Sequence, residues 1–136
     1  MNRVSEPSET LQAVLAEVPL EYRERFAHVA EGELESVAAL RESIRAYQGM
    51  VRKVAAWVTA LDPDVADTIA ASCLGLLDRF GSGPHARIVV AASTYFIEED
   101  EDDEVTGVLG FDDDIQVVNA VCRVLEAPEL LVPLIR

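Results

Sequence analysis

The chain is poor in positive charge. It carries 11 Lys and Arg against 25 Asp and Glu, a formal net charge of -14 over 136 residues. Such a surface repels a phosphate backbone, which argues against nucleic-acid binding through a basic patch, and it disfavours docking on an anionic membrane surface. Cysteine is also scarce. Cys73 and Cys122 each sit in an apolar helical pattern, with no CxxC or Cys/His cluster beside them. They read as buried free thiols in a reducing compartment, and no zinc site is implied. The two histidines, His28 and His85, read as surface or capping residues, and none of GxSxG, HExxH, GxxxxGK or GxGxxG occurs. Without a positioned base, nucleophile or phosphate loop, the expectation is a protein that is not an enzyme. Long apolar runs are missing too. The longest, IVVAASTYFI at 88–97, is too short to span a bilayer, and MNRVSEPSE lacks the apolar stretch of a signal peptide. The expected location is the cytoplasm.

What is present is material for one core. Half of the residues are apolar, enough for a single domain over 1–136, with the polar residues 1–7 expected to be disordered. The apolar spacing is helical throughout. Ser8 is placed to cap a helix that runs to about Val18. After Pro19, a second segment carries Leu20, Phe26 and Val29 and breaks at Gly32. From Val37 the apolar positions Leu40, Ile44, Tyr47, Val51, Val54, Val58 and Leu61 follow in steps of three and four. Met50, Ala55 and Trp57 widen that face, which suits a long central helix near 34–61 in a bundle better than a two-stranded zipper. Trp57 is therefore expected in the core. Asp62-Pro63 reads as an N-cap followed by the first helical residue, opening a helix through Phe80 that Gly81 ends. The β-branched residues 88–90 are read as part of a buried helix, because no partner strand lies nearby. Asp112 is placed to cap a last helix through Leu125, with Ile115, Val118 and Cys122 inward and Gln116, Asn119 and Arg123 outward. The tail PELLVPLIR is too apolar for water and should dock on the body or on a partner. The fold class expected is an all-α, single-domain bundle of about six helices.

The most unusual stretch is EEDEDDE at 98–104, followed by DDD at 112–114. Asp112, Asp113 and Asp114 suit the positive end of a helix dipole. Seven adjacent carboxylates at the negative end of the preceding helix repel one another and call for an offset. One offset is a basic protein surface met by Glu98, Glu99, Asp100, Glu101, Asp102 and Asp103. Another is a divalent cation: a calcium loop begun at Asp102 places Glu104, Thr106, Gly107, Leu109 and Asp113 at loop positions 3, 5, 6, 8 and 12. Asp102, Glu104, Asp113 and Asp114 are then the candidate ligands for Ca²⁺ or Mg²⁺. A third is internal, with Arg87 and Arg123 the nearest basic residues on the flanking helices.

An aromatic-ended apolar helix with Tyr95, an acidic loop, and then GVLGFDDDIQVVNAVCRVL make residues 84–125 resemble the YkvA-like family, a small helical bacterial domain of unknown function. In that resemblance Tyr95 stands for the family's aromatic residue and Gly110 for its glycine. Asp113 and Asp114 stand for its acidic pair, one of Asp100 to Asp103 stands for the loop acid, and Gly107 and Asp112 belong to the same unit. The family's prolines are absent here. The resemblance implies a fold unit and a site rather than an activity. Together these features lead to the expectation of a non-enzymatic helical interaction protein that recognises a basic protein surface through its acidic loop. A cation-binding helix-loop-helix is the alternative.

Overall fold

The computed structural model describes residues 7–57, 62–98 and 111–133. Six α-helices follow in order: α1 (Pro7–Glu17), α2 (Leu20–Glu31), α3 (Val37–Ala55), α4 (Pro63–Phe80), α5 (Ala86–Ile97) and α6 (Asp112–Val124). A 3-10 turn at Pro128–Leu130 comes last. The fold is an all-α bundle, with no strand among the described residues. No helix among them is long and apolar enough to cross a membrane.

Local chemistry explains most of the boundaries. The Ser36 side chain accepts from the Ala39 N–H and starts α3. Asp62 accepts from the Asp64 N–H, with Pro63 in the first turn, and starts α4. Two expected caps differ. Ser8 already lies inside α1, because the helix starts at Pro7, a residue that tolerates the first turn because it has no N–H to leave unpaired. Phe111 occupies the N-cap of α6 without a side-chain bond, so Asp112 is the first helical residue rather than the cap.

The long helix is present, but the centre of the bundle falls to α5. That helix packs against α1, α2, α3, α4 and α6, whereas α3 packs against α4 and α5. The continuous apolar run of residues 88–97 requires such a place, because a helix apolar nearly all round must be surrounded. Ile88 to Ser93, Tyr95 and Phe96 are all buried. On α3, Leu40, Ile44, Tyr47 and Val51 point inward as their spacing demands. The helix is shorter than expected, since α3 ends at Ala55 and a turn follows at residues 56–57. Val58 and Leu61 lie outside the described residues. Trp57 is 85 % exposed rather than in the core, because the turn takes it out of the phase of the helix. Leu20, the first residue of α2, is likewise exposed rather than packed.

The tail docks on the body over residues 128–132, while 134–136 lie outside the described residues. α6 ends in a Schellman arrangement: Glu126 has φ 58, and the Ala127 N–H donates to the Cys122 carbonyl at 2.8 Å. This reversal sends the chain back over its own helix. Asn119 then clamps Val132, donating from Nδ2 to its carbonyl at 3.0 Å and accepting from its N–H at 2.7 Å. Asn119 is therefore buried, not part of an outer stripe. Leu130 lies over Gly75, where a Cβ would stand 2.7 Å from a Leu130 methyl. An ion pair between Arg79 and Glu129 closes the outer side.

Candidate functional site

Helix α5 ends, and α6 begins, at one place on the bundle. Tyr95, in the last turn of α5, donates its hydroxyl to Oδ2 of Asp113 in the first turn of α6, at 3.0 Å. The end of α5 and the start of α6 thus meet at a single point, and the chemistry there is the base of the acidic segment.

Three residues on one face of α2 complete this base. Tyr22, Arg25 and Phe26 recur at the i, i+3, i+4 spacing that puts side chains on a common stripe. Arg25 Nη1 donates to the same Oδ2 of Asp113 at 3.0 Å and lies 3.4 Å from the Tyr95 hydroxyl. Its guanidinium carbon sits 4.4 Å from the centroid of the Tyr95 ring, a cation–π contact. The Phe26 ring meets the Tyr95 ring edge-on with centroids 5.9 Å apart. Tyr22 donates to Oδ2 of Asp112 at 3.2 Å. One carboxylate therefore takes a phenol, an arginine and the positive end of a helix together.

Burial, and then the Asp113 charge, push the Tyr95 phenol well above its ordinary value, while Arg25 pulls the other way. Burial, helped by Glu21 and Asp112, also raises the Tyr22 phenol. Both hydroxyls stay protonated at neutral pH and serve as donors. Asp114, the next residue of α6, is wholly buried, and its charge raises both Tyr95 and Cys73. The arrangement holds two helix ends together.

Of the residues singled out from the sequence, Tyr95, Glu98, Asp112, Asp113 and Asp114 lie within the described structure. Glu98 is exposed and ends α5, its N–H donating to the Thr94 carbonyl at 2.9 Å. Glu99, Asp100, Glu101, Asp102, Asp103, Glu104, Gly107 and Gly110 lie outside the described residues. Among the described residues, no group of three His, Cys, Asp or Glu side chains is arranged to hold a metal ion. The two arginines expected to face the acids are directed elsewhere. Arg87 Nη2 donates to the Gly32 carbonyl at 2.9 Å, at the end of α2. Arg123 Nε pairs with Glu17 of α1 at 3.0 Å. Each sits about three helical turns along its helix from the end that meets the acidic segment, and bonds an acceptor at the other end. The counter-charge for the base comes from Arg25, 88 positions from Asp113 in the chain. Its only local signal is the Tyr22, Arg25, Phe26 stripe, and nothing in a single sequence pairs that stripe with α6.

No family model, curated protein or solved structure matches this chain.

Proposed function

We propose that the protein is a non-enzymatic helical interaction module that offers the acidic segment 98–104 to a basic protein surface. The observation that carries this reading is the base of the segment. Tyr95, Asp113 and Arg25 join α5 to α6 and α2 at contacts of 3.0–3.4 Å. A rigid base lowers the entropic cost of meeting a partner, because less of the chain has to be ordered on binding. A second observation supports it. Arg87 bonds the Gly32 carbonyl and Arg123 pairs with Glu17, so the two basic residues of the flanking helices are placed at the helix ends opposite this base. A formal net charge of -14 would also speed encounter with a basic surface.

The test is binding to a panel of lysine- and arginine-rich helical peptides, with acidic peptides of matched length as controls. The proposal expects the basic panel alone to bind, and binding to fall as salt rises. Equal binding of both panels, or of neither, counts against it. The alternative, a cation site using Asp102, Glu104, Asp113 and Asp114, is separated by melting with EDTA, Ca²⁺ and Mg²⁺. A specific ion at a hundred times its Kd stabilises by about 2.7 kcal/mol, whereas screening alone gives a small shift common to both ions. The likeness of 84–125 to the YkvA-like unit belongs to the same proposal, as a fold unit whose acidic end is its working end.

A further inference from the structure

At the other end of α5, a helix of about 18 Å by its residue count, α1, α2 and the turn before α5 enclose a cavity of about 360 Å³. Its size falls within the range of small-molecule sites, about 300–1,000 Å³. The floor is apolar, with Leu11 half-buried and Ala30 and Ile88 buried. The buried Thr10 hydroxyl and His85 form one wall, with Thr10 Oγ1 3.5 Å from His85 Nδ1. The rim carries one charge of each sign, Arg87 and Glu31, both exposed.

The two rim charges do not form an ion pair with each other, although they border the same cavity. Arg87 instead gives one N–H to the Gly32 carbonyl. That bond holds the guanidinium in place and leaves the other N–H groups of the fork for an incoming acceptor. A simple anion would meet Arg87 favourably but would have to approach a chain of net charge -14 and lie beside Glu31. A simple cation would meet Arg87. A molecule that carries both charges on one carbon and has an apolar body avoids both conflicts. We propose that this cavity binds a free apolar α-amino acid, with its carboxylate on Arg87, its ammonium on Glu31 and its side chain on Leu11, Ala30 and Ile88.

The experiment is an NMR titration of the full chain, following the methyl groups of Leu11, Ala30 and Ile88. L-Leucine is the probe, with N-acetyl-leucine, leucinamide and glycine as comparators. The expected result is that leucine shifts these methyls saturably, while each comparator binds at least about tenfold more weakly. The first two lose a charge-assisted contact, and glycine loses the apolar body. Arg87→Met and Glu31→Gln should each weaken leucine binding by a similar factor, and Arg41→Gln, away from the cavity, should leave it unchanged. Both rim residues are exposed, and a melt of each variant verifies that it is folded. If N-acetyl-leucine or leucinamide binds as well as leucine, the zwitterion assignment is overturned. If leucine leaves the methyls of the wild-type protein unshifted, the site itself is overturned.

Discussion

Removing the phenol and the carboxylate at the base of the acidic segment, singly and together, measures how firmly that base is held. Tyr95→Phe deletes a hydroxyl that donates to Asp113 at 3.0 Å and leaves the fully buried ring and its contacts with Phe26 and Arg25 in place. A hydrogen bond to a charged acceptor contributes about 1.5–3 kcal/mol. Because Arg25 still serves the same oxygen, the lower end, about 1.5 kcal/mol, is expected. Asp113→Asn removes the carboxylate charge that Arg25 meets at 3.0 Å. The side chains of this pair are 29 % and 16 % exposed. The cost should therefore fall between an exposed pair, about 0–1 kcal/mol, and a buried one broken on one side, about 3–5 kcal/mol. About 2 kcal/mol is the working figure. Urea unfolding of wild type, both single variants and the double variant closes a cycle. The coupling should be about 1 kcal/mol or more, since both changes act on one oxygen. Additivity within about 0.5 kcal/mol would refute the idea that phenol, carboxylate and guanidinium act as one unit.

Other expectations follow from burial and from paired backbone groups. Trp57, 85 % exposed, should give red-shifted emission that is freely quenched by acrylamide, and Trp57→Ala should change stability by no more than about 0.5 kcal/mol. Asn119→Ala leaves the N–H and carbonyl of Val132 without their partner in a buried place. It should cost about 2–4 kcal/mol and should make the segment after Ala127 exchange its amide hydrogens faster. Burial holds the Cys73 thiol up at about 12, with Ser93 pulling down and Asp114 pushing up, and it holds Cys122 at about 11 against the pull of Arg123 and Arg79. Both should resist iodoacetamide at pH 8 until the chain unfolds. The unfolded thiols ionise near pH 8.5 while the folded ones keep their protons. Stability from this source is therefore complete below about pH 8.5 and falls as pH rises toward 11–12, by up to about 1.4 kcal/mol per pH unit for each thiol. A melting temperature that stays flat across pH 9–11 in the wild type would contradict that burial.

Periodicity made the helices legible because burial imposes it. The residues of α3 and α4 that face the core are those whose steps of three and four lie on one stripe, and Asp62-Pro63 marks a helix start by its own chemistry. Periodicity failed where the helix had already ended, at Trp57, and where a tail folded back, at Asn119. In both places the outcome depends on chain geometry beyond the local window. Which helix lies at the centre was also readable in part, since only the stretch later seen as α5 is apolar all round. At the candidate site, the half that comes from one region could be read: Tyr95 and the aspartates that open α6. The half from α2 could not, because Arg25 and Tyr22 reach Asp113 and Asp112 across 88 and 90 positions, respectively. A charged side chain carries no mark of which opposite charge it will meet. Arg87 and Arg123 show the converse, since nearness in sequence to the acids did not keep them from bonding Gly32 and Glu17, far away in the chain.

The central claim is that the acidic segment recognises and does not merely surround the fold. Replacing Glu98 to Asp103 by Ser and Asn and titrating salt against affinity for a basic helical peptide tests it most directly. The wild type should bind with an affinity that falls steadily as salt rises. The variant should lose that binding and its salt dependence, while its melting temperature stays the same or rises slightly as self-repulsion is relieved. Unchanged affinity of the variant at every salt concentration would contradict the claim. So would a variant whose fold collapses, because the acids would then be holding the bundle together.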